Sequence, residues 1–206
     1  KYLNSLRLRL AIRIRYIDAA LAKTQGEKAM ADPAGLIATN ADNFNISLLG
    51  NIMPVGMICF QWDDTRMGGP IESFMVGLKD NRIAKFFSPV TDPALYADHP
   101  SSPYKGIRNG AYIGAKIQRV PFSKVSTDFN SVQTRRHFTA SEVYFLKAEA
   151  ALRGWAGAGS AKTNYETGVK LSFDDWGAGG ADAYLADATS KPINYVDPID
   201  SRNNFT

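Results

Sequence analysis

The sequence predicts a mainly α-helical protein in which helix pairs alternate with long irregular loops and little β structure. Three observations predict it. Leu3, Leu6, Leu10, Ile14, Ile17 and Leu21 recur at spacings of three and four, the mark of one helix face. Thr139-Ala140-Ser141-Glu142 precedes an apolar run, which is the pattern of a capping box. Between these regions, residues 33–70 and 88–137 mix Gly, Pro, Asn and Ser with short apolar runs and read as mostly irregular.

The elements follow in order. Residues 5–22 also alternate, Leu6, Leu8, Leu10, Ile12 and Ile14 against Arg7, Arg9 and Arg13, which is a strand pattern. The three-and-four stripe persists too long for a strand, and Leu, Ala and Arg favour helix. A second apolar edge, Leu8 and Ile12, implies burial on more than one side. Asp18 offers an N-cap for a helix over residues 19–31, which tolerates Gly26 and ends at Asp32-Pro33. One short strand is expected near 55–60. Residues 70–87 read as two short helices. Pro70 suits the first turn, Ile71, Phe74, Met75 and Leu78 form the apolar face of the first, and Asp80 caps the second, with Ile83, Phe86 and Phe87. Residues 89–121 form a long loop rich in Pro, Gly, Ser and Tyr, and loops of that length in compact domains are often functional.

Residues 139–177 are the best specified. The Thr139 hydroxyl is expected to take an N3 amide while Glu142 reaches back. Val143, Leu146, Ala150 and Ala151 carry the helix toward Gly154. Ser160 opens a second helix with Ala161, Tyr165, Val169 and Phe173, ending near Gly177. Two helices joined by a short turn make an αα-hairpin. The wording from Ala148 to Gly154, with Ala161, Tyr165 and Gly168-Val169 after it, resembles one tetratricopeptide unit, in which small residues let two helices approach and an aromatic fills the groove. Such a unit needs neighbouring helices, and residues 5–31 are the candidate. Residues 178–206 read mostly as loop.

Composition sets limits on function. Among 206 residues, 24 Lys and Arg stand against 20 Asp and Glu. Arg7 and Arg15 point away from Arg9 and Arg13 on a helix, so they form no basic stripe of the kind nucleic acid requires. No apolar run approaches the roughly 18 residues of a membrane helix. A single cysteine permits no internal disulfide, and Cys59 reads as a small buried residue. His99 and His137 lack ligand spacing, so no metal site is expected, and no cofactor is implied. Asp63-Asp64 and Asp174-Asp175 are adjacent carboxylates that point apart and read as solvated or capping residues, not as a glycosidase pair. No serine sits in a nucleophile elbow, and no glycine run has phosphate-loop spacing. An enzyme is not expected.

Several separated segments resemble the SusD/RagB-like nutrient-binding outer-membrane lipoproteins of Bacteroidetes. They are Asn4 to Ile14 (NSLRLRLAIRI), Asp64 to Met67 (DTRM), Leu78 to Ile83 (LKDNRI), Tyr104 to Gly110 (YKGIRNG), Ser141 to Trp155 (SEVYFLKAEAALRGW) and Tyr165 to Gly177 (YETGVKLSFDDWG). They occur in the family's order along nearly the whole chain. One departure is Asn81, where the family usually has proline. The resemblance implies a SusD-like fold of tetratricopeptide-like helix pairs and long loops. It implies a lipid-anchored protein on the outer face of the outer membrane that binds an oligosaccharide or peptide and passes it to a SusC-like TonB-dependent transporter without bond chemistry. The anchor cysteine would lie outside this segment. On this reading residues 1–206 are a single SusD-like region, incomplete at both ends. The alternative is a soluble tetratricopeptide-type scaffold for a protein partner. It predicts further units of about 34 residues, and no such regular period is visible.

Sugar rings present C–H faces to aromatic side chains and hydroxyls to polar ones, and ligand pockets combine the two. Two loop stretches offer that mixture: Trp62, Asp64 and Arg66, and Tyr104, Arg108 and Asn109. The same residues could instead hold the loops in place, since family resemblance does not fix a site. Trp155 and Trp176, at helix ends, read as core.

Overall fold

The computed structural model describes residues 1–49, 56–92, 94, 102–130 and 134–192. The chain divides into two compact units, one of residues 1–47 and 134–185, the other of residues 48–133 and 186–206.

The first unit is built on two helical hairpins. Helices α1 (Tyr2–Ile14) and α2 (Ala19–Ala31) form the first. The helical stripe predicted over 5–22 is broken after Ile14, because Asp18 turns out of helix and its carboxylate accepts the Leu21 amide as an N-cap. The buried face of α1 is the other edge, Ser5, Leu8, Ala11 and Ile12. Leu3, Leu10 and Ile17 point outward, with Ile17 88% exposed. Leu8, Ala11 and Ile12 join Ala22, Ala29, Ala150, Trp155 and Ala158 in one core. Two arginines of α1 are tied to neighbours: Arg7 donates to Gln25, and Arg9 forks onto both Glu142 oxygens at 2.6 Å.

Strands β1 (Phe44–Ser47) and β2 (Thr134–Phe138) pair antiparallel in a two-stranded sheet. β2 leads into α6 (Ala140–Leu152), with α7 (Ala161–Asp175) completing the second hairpin. Thr139 caps α6 as expected, its hydroxyl accepting the Glu142 amide. Glu142 does not reach back. Its carboxylate is held by Arg9, and the first helical amide, that of Ala140, donates to Asn43 at 2.7 Å. Gly154 (φ 69°) ends α6 in a Schellman motif: the Trp155 amide donates to Ala150 and the Gly154 amide to Ala151. Trp155 is then folded inward against Gly26 of α2. Ser160 caps α7 through the Thr163 amide, and Gly168 lets the Phe145 ring approach α7 closely. A short helix, α8 (Ala181–Ala186), occupies part of a stretch expected as loop. Trp155 is buried as predicted, whereas Trp176 is only partly covered, with the Arg136 guanidinium 4.1 Å above its ring.

The second unit is mostly loop around short helices α3 (Gly69–Gly77), α4 (Ile83–Phe86) and α5 (Thr127–Asn130). The strand expected near 55–60 is absent over its described part. Gly56 is helical and Met57–Gln61 form a π-helical turn, because a short apolar run does not distinguish strand from buried helix. Pro70 lies in the first turn of α3 as predicted, but the buried face of α3 is Gly69, Glu72 and Ser73, while Ile71 and Phe74 are exposed. Asp80 is buried and accepts the Arg82 amide, so it organises the turn into α4 two residues earlier than an ordinary N-cap. The expectations for residues 50–55, 93, 95–101 and 193–206, His99 among them, lie outside the described residues.

Candidate functional site

The two loop stretches singled out in the sequence lie in the second unit, where the chain just after the first pairs with the middle of the second in a backbone knot. Its centre is Gly106. The Ile107 amide donates to Met67 and the Gly69 amide to Ile107, pairing the two segments in parallel. The Ser123 amide donates to Lys105, while the Met67 amide donates to Ser123. Glu72, with no exposed surface, accepts the Gly106 amide at 2.7 Å. The glycine is required because a Cβ there would stand 2.7 Å from the Gly68 carbonyl oxygen.

The first stretch leaves the π-helical turn at Trp62. That turn type is rare and often adjoins functional sites. The Trp62 side chain is 54% exposed, and its carbonyl accepts the Lys116 ammonium. Asp63 adopts left-handed backbone (φ 53°), tolerable for aspartate. Asp63 and Asp64 are paired with different cations: Asp63 with Arg66 and Lys124, Asp64 with Arg119 at 2.8 Å. The Arg66 guanidinium holds the Asp63 carboxyl below the usual carboxylate range against the opposing effect of burial, with Lys124 assisting. The Arg66 side chain is 2% exposed. It donates to the Asp63 carboxylate and to the carbonyls of Asp63, Thr65 and Arg119. It braces the loop from beneath, leaving Trp62 and Asp64 as the members that reach solvent.

In the second stretch, Tyr104 is half-buried, and burial pushes its phenol above the ordinary value. Arg108 is half-buried and Asn109 exposed. Both lie in a turn closed by the Ala111 amide donating to Arg108, with Gly110 at φ 85°.

Sequence reasoning missed Lys116, Arg119 and Lys124, which tie the loop of residues 111–124 to Trp62, Asp64 and Asp63. These contacts span more than fifty positions, and no local spacing announces them. It also missed Glu72, for which a signal exists: a lone carboxylate in the apolar run Pro70 to Val76.

The first unit holds a cleft of about 180 Å³ lined by Met30, Leu36, Ile37, Tyr144 and Lys147. That is below the roughly 300–1,000 Å³ of most small-molecule sites. No group of three metal-ligating side chains is present among the described residues.

A family model described as SusD-like, SusD and RagB outer membrane lipoprotein, matches residues 1–206. A chitin-binding SusD homologue from Flavobacterium johnsoniae is similar in structure, with a TM-score of 0.84 and 41% identity over 96% of this chain and 39% of that one. A SusD homologue from Bacteroides thetaiotaomicron gives 0.79 and 37%, over 97% of this chain and 40% of that one. A SusD-like protein from the same species gives 0.81 and 34%, over 98% and 41%. The chain thus spans about two fifths of the length of these structures. Comparison with functionally curated proteins gave no match.

Proposed function

The chain belongs to the SusD-like family of outer-membrane lipoproteins, and from that membership we propose that it is part of a cell-surface protein that binds a glycan and delivers it to a SusC-like TonB-dependent transporter. The observation that carries the reading is the match to the family along residues 1–206, with a chitin-binding relative at 41% identity. Lipid anchoring and the transporter partner follow from the family alone.

The loops of the second unit supply the binding chemistry. Trp62 offers an open aromatic face, fixed from behind through its carbonyl and the Arg66 brace. Asp64, Arg108 and Asn109 are the polar fingers for sugar hydroxyls, and Tyr104 adds a half-buried aromatic wall. Arg66 acts through the loop it holds. The protein releases its ligand chemically unchanged. Support comes from Asp63, engaged by Arg66 and Lys124, and from Asp64, engaged by Arg119. A glycosidase acid needs its pKa raised, and that of Asp63 is lowered.

Trp62→Ala is expected to weaken binding of chitohexaose by about 1–3 kcal/mol with little effect on the thermal midpoint. Titration calorimetry on the intact protein checks this. Unchanged affinity in a folded variant would assign Trp62 to loop structure.

A further inference from the structure

The loop that follows the Arg108–Ala111 turn carries an aromatic side chain that the binding surface described so far does not use. Tyr112 is 89% exposed. Its hydroxyl makes no hydrogen bond among the described residues. An exposed tyrosine on a loop is often only solvated surface, but this one is set in place. A Cβ built on Gly114 would lie 2.9 Å from Cε1 and the hydroxyl oxygen of Tyr112 and 3.1 Å from Cζ. The ring therefore lies across the bare backbone of Gly114 and turns its outer face to solvent.

The loop is held on both sides of the ring. Upstream, the Ala111 amide closes the turn onto Arg108, and Ile107 is paired with Met67 and Gly69. Downstream, Lys116 donates to the Trp62 carbonyl, Arg119 to the Asp64 carboxylate, and the Arg119 carbonyl accepts from Arg66. Tyr112 stands four residues before Lys116, at most about 14 Å of chain. It is thus tethered, through Lys116, to the segment that carries Trp62. Two exposed rings on one braced loop pair, with the exposed Asn109 three residues before Tyr112, suit a ligand of several pyranose rings. Each ring offers an apolar C–H face for stacking and hydroxyls for the polar side chains.

We propose that Tyr112, oriented by Gly114, is a second aromatic platform of this surface and stacks on a pyranose ring of an oligosaccharide whose other end lies at Trp62. The proposal rests on the glycan-binding reading of the second unit. Tyr112 is the contact residue, and Gly114 is a positioning residue that acts only through the ring.

The experiment is titration of the intact protein, and of its Tyr112→Ala, Tyr112→Phe and Gly114→Ala variants, with chitohexaose, cellohexaose and maltohexaose. For a sugar the wild type binds, Tyr112→Ala weakens binding about tenfold, while Tyr112→Phe stays close to wild type because the stacking face is kept. Gly114→Ala lowers affinity with an unchanged melting temperature, since the new methyl group meets only atoms of the exposed Tyr112 ring and no backbone atom. Wild-type affinity in Tyr112→Ala overturns the proposal and leaves glycan binding by the rest of the surface standing. Wild-type affinity in Gly114→Ala overturns the positioning role. A wild-type protein that binds none of the three sugars overturns this proposal and the glycan reading together.

Discussion

Trp155→Ala is expected to destabilise the protein by about 3–5 kcal/mol, read as a shift in the denaturant midpoint of the intact chain. Trp155 is 7% exposed and belongs to the core formed by α1, α2 and α6. Its position is set by the Schellman turn at Gly154, which brings the indole back over α2. The ring occupies space that any other residue at position 26 would need, because an ideal Cβ there falls 2.2 Å from Cζ3 of Trp155. Gly26→Ala should therefore also destabilise, even though alanine is the better helix former by about 1 kcal/mol. In a background already carrying Trp155→Ala that sign should reverse, because the clash is gone and the helix preference remains. Additive effects of the two changes would contradict the account, since residues in direct contact are expected to couple.

Gly106→Ala is expected to be nearly as damaging, by about 3 kcal/mol. Its added methyl would meet the carbonyl oxygen and carbon of Gly68 and the amide of Gly69, all within 2.8 Å. These are backbone atoms and cannot swing aside. The segments would have to part, which breaks the Ile107–Met67 and Gly69–Ile107 bonds and lifts the Gly106 amide from the buried Glu72. Hydrogen exchange at Met67, Gly69 and Ile107 should accelerate in the variant. Unchanged protection of those amides would mean that the knot is looser than its geometry indicates.

Legibility from sequence followed the range of the interactions. The start of α6 and the caps at Asp18 and Ser160 were readable, because a cap is satisfied within three residues. The reciprocal half of the Thr139 box was not, because Glu142 is taken by Arg9, 133 positions away. The choice between two apolar edges on α1 was likewise settled by tertiary packing. Leu8 and Ile12 face α2 and α6, while Leu3, Leu10 and Ile17 of the longer stripe stay outside and its Leu6 and Ile14 are only half-buried. α3 shows the same effect in reverse: its apolar residues Ile71 and Phe74 are exposed, and Glu72 is buried because an amide from residue 106 requires an acceptor.

For the candidate surface, residue types were legible and exposure was not. Trp62, Asp64 and Arg66 sit within five residues of one another, yet Trp62 is open, Asp64 is partly open and Arg66 is enclosed. The difference arises from Lys116, Arg119 and Lys124, whose contacts no local pattern encodes. Tyr112 belongs to the same case. Its neighbour Gly114 reads in sequence as ordinary loop composition, and only the fold shows a ring lying on it.

The most direct test of glycan binding without chemistry is calorimetric titration of the intact protein with a panel of oligosaccharides that includes chitohexaose, followed by chromatography of the recovered sugar. A saturable isotherm is expected for at least one member of the panel, with recovery of that sugar at its original length. Absence of binding to every glycan, or recovery of shortened products, would contradict it.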